Sequence, residues 1–136
     1  MTDPKPETEP DPDPELLELW AKVFGFARAG RTEELAAYVD AGIQANLTND
    51  RGDTLVMLAA YHGHADTVTA LLERGADPNR ANDRGQTPLA GAVFKAEPEV
   101  VKALLAGGAD PAAGQPSALE TARLFGNDEM LTLLRP

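Results

Sequence analysis

The chain repeats itself every 33 residues, and a repeat on that scale folds as a stack of like units, each contacting only its neighbours. Tyr38-Val39-Asp40-Ala41-Gly42, Leu71-Leu72-Glu73-Arg74-Gly75 and Leu104-Leu105-Ala106-Gly107-Gly108 follow one another at that interval. The same offset carries Asn46 onto Asn79 and Ala76-Asp77-Pro78 onto Ala109-Asp110-Pro111. It also lays Asn49-Asp50-Arg51-Gly52-Asp53-Thr54 over Asn82-Asp83-Arg84-Gly85-Gln86-Thr87, identical in the first four positions.

Inside one period the local signals describe two short helices and a turn. Thr87 is a natural N-cap and Pro88 fits the first helical position, where its missing N–H is no loss; the helix is expected to about Lys95. Pro98 opens a second helix whose Val101, Leu104 and Leu105 form an apolar stripe, and Gly108 follows where left-handed dihedrals are favoured. In the preceding unit Thr54 caps a helix to about Tyr61, Gly63 breaks it, and Ala65 to Glu73 forms the partner helix with Val68, Leu71 and Leu72 inward. A polar run rich in Asn, Asp and Gly then makes an extended turn.

At these residues the sequence resembles the ankyrin-repeat family. Thr87-Pro88-Leu89-Ala90-Gly91-Ala92 matches the T-P-L-H-x-A signature except at the His, Gly75-Ala76-Asp77-Pro78-Asn79 matches the unit ending, and Gly63-His64 matches the turn between helices. The second unit departs from the signature at Leu55, Val56 and Met57. The first keeps Gly30, the stripe Leu35, Tyr38 and Val39, and Gly42, as an N-terminal cap would. The last comes three residues early, with Ser117 and Glu120 spaced as a capping box. The resemblance implies an all-α ankyrin-repeat solenoid of about four helix-turn-helix units with hairpin-like connecting loops, at about 16–48, 49–81, 82–114 and 115–136. Helices this short are marginal alone, so stacking must supply their stability.

Ahead of the repeats, residues 1–14 carry five prolines and five acids against one lysine. Alternating Pro removes backbone donors and pushes each preceding residue to extended geometry, so the segment is expected to be a disordered acidic arm: a tether, a lure for a basic partner, or a solubilising leader.

Composition excludes most chemistry. Cysteine is absent and His62 and His64 are the only imidazoles, which removes disulfides, thiol nucleophiles and most metal sites. Ser117 is the only serine, already explained as a cap. Neither a P-loop nor a G-x-G-x-x-G is present. No catalytic residue, cofactor or metal is expected, so the chain is not read as an enzyme. A formal charge of −10 argues against nucleic acid and anionic membranes, whose recognition needs clustered cations. No stretch is long and apolar enough to span a bilayer, and no signal peptide opens the chain; the expectation is a cytoplasmic chain, monomeric when free. Few Lys and Ile beside many Ala, Arg, Gly and Asp point to a GC-rich bacterial genome.

What remains is a binding surface. The resemblance implies a concave groove made of hairpin tips and the exposed side of the first helices, which selects Asp50, Arg51, Asp53, Tyr61 and His62 in one unit. In the next it selects Asp83, Arg84, Gln86, Phe94 and Lys95. Tyr61 and Phe94, one period apart, are expected side by side, either as a contact pair for a partner or as rings that complete the stack. Arg51 and Arg84 either bind a carboxylate or, the blander expectation, pair with Asp50 and Asp83. His64 is read as a turn-stabilising residue, and Trp20 as core or as the seal on the open end of the stack. Leu124 and Phe125 fall at the variable inner-helix positions of the last unit. The functional expectation is a non-catalytic module binding a partner protein of unknown identity. Two rivals stand beside it: a dedicated inhibitor or protective partner of one enzyme, and a structural piece associating through its cap faces.

Overall fold

The computed structural model describes residues 13–135, so the expected arm up to residue 12 lies outside the described residues. Its last two residues are not arm. Asp13 caps α1 (Pro14–Ala29), its carboxylate accepting the Glu15 N–H at 2.9 Å, and Pro14 takes the first helical position. A proline interrupts a helix only where an N–H is needed, and the first turn needs none.

After α1 come α2 (Thr32–Asp40), α3 (Leu55–Tyr61), α4 (Ala65–Glu73), α5 (Pro88–Phe94), α6 (Pro98–Ala106), α7 (Ala118–Leu124) and α8 (Asp128–Leu134), so the described residues are all-α apart from isolated bridges at Thr48–Thr54 and Gly114–Ser117. Helices α1, α3, α5 and α7 pack in sequence as an inner row, α2, α4, α6 and α8 as an outer row, and each inner helix packs on the outer helix that follows it. Between the rows runs one aliphatic core: Val23, Val56, Leu89 and Ala122 from the inner row meet Leu35, Val68, Leu71, Val101, Leu104 and Met130 from the outer. Trp20 packs half-buried against this core.

The caps explain why helices begin where they do. Thr54, Thr87 and Ser117 each accept the N–H three residues on, at 3.1 Å. The departure from the signature at Leu55 to Met57 therefore leaves the first-turn bond intact, because a cap needs only the hydroxyl and a free N–H. Ser117 and Glu120 form the reciprocal capping box.

Residues identical at the 33-residue interval make the joints between units. Asn46 Oδ1 accepts the Asp77 N–H and Asn79 Oδ1 the Asp110 N–H, both at 2.7 Å. Their amides donate back to Gly75 and Gly108 carbonyls. His64 is a joint as well as a turn residue: its Nε2 lies 2.8 Å from the Arg28 carbonyl, and its ring fills the space a Cβ on Gly30 would enter at 2.5 Å. Gly30 also has φ 71°, so no other residue fits there without strain.

Candidate binding groove

The hairpin tips owe their shape to one asparagine each. Asn49 Oδ1 accepts the Arg51 and Asp53 N–H groups, and Asn82 Oδ1 those of Arg84 and Gln86, at 2.9–3.0 Å. Adjacent tips are then tied by Asp83 N–H to the Arg51 carbonyl and Gln115 N–H to the Gly85 carbonyl. The tips stand beside the inner helices and enclose an open cleft of about 600 Å³.

Eight of the ten expected residues line that cleft: Asp50, Arg51, Asp53, Tyr61, His62, Arg84, Gln86 and Phe94. Asp83 and Lys95 do not. Asp83 stands against Gly52 in the joint between tips, and Lys95 places its ammonium 5.1 Å from the Tyr61 ring centroid. Two of the eight have internal duties. Asn82 Nδ2 donates to Asp53 Oδ1 at 2.8 Å and to Gln86 Oε1 at 3.3 Å, so these side chains hold the tips together.

One expectation is corrected. Arg51 and Arg84 form no ion pair among the described residues: all four side chains are exposed, where a pair gains too little to hold two side chains in one geometry. Tyr61 and Phe94 border one cleft, and each has a further aromatic neighbour. Tyr61 meets His62 edge-on at 5.6 Å, and Phe94 meets Phe125 edge-on at 5.5 Å. The pairing with Phe125 follows from the early start of the last unit, which puts Phe125 one short unit after Lys95.

The cleft also takes residues that the sequence reading passed over: Ala21, Phe24 and Arg28 of α1, and Met57 and Leu58 of α3. Arg28 falls one period before Tyr61, a signal visible once the repeat is extended into the divergent first unit. The cations gather closely enough to act on His62. Its pKa lies below the usual 6.5, first because of partial burial and then through His64, Arg28 and Lys95.

No helix of the described residues is long and apolar enough to cross a membrane. Against known proteins, the family described as ankyrin repeats (3 copies) matches residues 24–115. A Pseudomonas aeruginosa protein named for its ankyrin repeats is 46% identical over 68 residues, covering 49% of this chain and 37% of its own length. The chain thus spans well under half of that relative. Matched helices, tips and joints lead to one conclusion: the chain belongs to the ankyrin-repeat family.

Proposed function

We propose that this chain is a non-catalytic binding module that holds a partner protein in the groove between its hairpin tips and inner helices, acting in the cytoplasm. Ankyrin repeats are generally protein–protein interaction modules, and the family is typically non-catalytic. The observation that carries the reading is the exposure of large groove side chains: Phe94 is 53% exposed and, with Tyr61, borders a cleft whose walls are fixed by backbone and asparagine hydrogen bonds. Such preorganisation leaves little ordering entropy to lose on binding, and aromatics dominate interface energetics.

The test is affinity capture from source-cell lysate with the intact chain beside a Tyr61→Ala, Phe94→Ala double variant, both checked for helicity. The expected result is a partner held by the first and lost by the second; identical captures would overturn the groove reading.

A second reading, association through the first cap, is favoured by Leu16 and Leu17, 39% and 46% exposed on α1. It expects a concentration-dependent mass in sedimentation equilibrium that Leu16→Glu, Leu17→Glu abolishes.

A further inference from the structure

The groove holds arginines that form no ion pair among the described residues. The ion pairs among the described residues, Arg31–Glu34, Arg74–Asp40 and Lys102–Glu99, all lie on or next to the outer helices. In the groove, Arg28, Arg51 and Arg84 line the cleft with no ion pair among the described residues, and Lys95 stands over Tyr61. The acids that line the cleft are Asp50 and Asp53, the latter engaged by Asn82; Asp83 stands at the rim against Gly52 and Glu97 against Gly63. Among the residues that line the cleft, three arginines stand against two aspartates, a local reversal in a chain of formal charge −10.

Polarity also changes along the stack. The inner-helix position held by Arg28 becomes Tyr61, then Phe94, then Leu124, one unit at a time. At the far end Phe94, Leu124 and Phe125 are 53%, 76% and 60% exposed, the two phenyl rings edge to face.

We propose that the groove takes an extended acidic segment of a partner protein, its carboxylates over Arg51 and Arg84 and an apolar side chain against Phe94, Leu124 and Phe125. The inference rests on the groove reading above and supplies the partner's chemistry. A free guanidinium offers a planar fork that fits a carboxylate at two points. Arg51 and Arg84 repeat on units packed about 10 Å apart, the usual separation of neighbouring helices. A segment in polyproline II geometry rises about 3.1 Å per residue with three residues per turn, so side chains three apart share a face and span about that distance, and the acids are expected three apart. Surplus positive charge over the groove steers such a segment in and makes the encounter sensitive to salt.

The probe is a synthetic octapeptide with two glutamates three residues apart followed by Leu-Phe, titrated into the full-length chain and followed by 15N–1H NMR. Its control has lysines in place of the glutamates. The glutamate peptide is expected to shift the Arg51, Arg84 and Phe94 amides and to bind at least about tenfold more tightly than its control. That preference should fall several-fold between about 50 and 500 mM salt. Arg51→Gln, Arg84→Gln should remove the preference and keep the fold. No binding, equal binding of both peptides, or full preference in the arginine variant would overturn the proposal. If the Arg variant keeps a lysate partner that the Tyr61, Phe94 variant loses, this inference falls and the groove reading stands. If the glutamate peptide binds only after residues 2–12 are deleted, the occupant is this chain's own acidic segment, and the partner assignment is wrong.

Discussion

Ala96 breaks a rule the other units keep. It has φ 54° where Gly30, Gly63 and Gly126 have 71°, 81° and 60°, and a left-handed conformation strains any residue with a Cβ by about 1–2 kcal/mol. Ala96→Gly is therefore expected to stabilise the chain by about 0.5–1 kcal/mol after the added freedom of glycine in the unfolded state is subtracted. An unchanged or lower urea midpoint would contradict this. Asn82 is the opposite case, since one side chain fixes two amides and holds Asp53 and Gln86. Asn82→Ala should cost about 1–3 kcal/mol and raise hydrogen exchange at Arg84 and Gln86. His62 prefers its neutral form in the fold, its pKa lying below 6.5. Its contribution to stability is thus complete above pH 6.5 and is lost as pH falls from there through the lower folded value. Proton NMR of its Cε1–H should show that lowered midpoint, and His62→Gln should flatten the dependence. These roles were partly legible: Asn49 and Asn82 recur one period apart in a polar run read as a turn, but nothing in the sequence said that Asp53 and Gln86 would be consumed by the same bonds.

At the level of the helix, seven residues in α3, α5 and α7 are too few to stand without caps and neighbours. Thr87→Ala should remove about 1 kcal/mol, read as a lower thermal midpoint with an unchanged helical spectrum at low temperature. The cap on α7 is pH-sensitive in a definite direction. Glu120 accepts the Ser117 N–H, and the Ser117 backbone and then its hydroxyl hold the carboxyl below the ordinary 4.5. Its support is complete above the ordinary value and fades as pH falls through the lowered one, so its carboxyl carbon should titrate below 4.5. Helix starts were readable in the sequence because a cap is a local event of three residues. The extra length of α1 was less so, because Asp13 and Pro14 look like the proline-acid alternation before them until a helix forms behind them.

Across the whole molecule, stability travels from unit to unit. Truncating a stripe residue fully buried between the rows, such as Leu104→Ala, should cost about 2–5 kcal/mol, measured as a shift of the urea midpoint. His64 joins the first unit to the second through Arg28 and Gly30. Trp20, the only tryptophan, reports on that first unit alone. In His64→Ala the fluorescence midpoint is expected below the circular dichroism midpoint, because one joint has been loosened and the rest of the stack has not; coincident transitions would show that the joint carries little.

The 33-residue interval, the cap residues and the apolar stripes determined the unit, its helices and their stacking, because each is an interaction over a few residues repeated in register. The tertiary structure alone decided what faces what across units. It left Arg51 and Arg84 without an ion pair among the described residues, gave Phe94 to Phe125, moved Lys95 onto Tyr61 and brought Arg28 to the cleft. Those outcomes depend on how neighbouring units sit side by side, where the divergent first unit and the shortened last one break the period that the sequence displays.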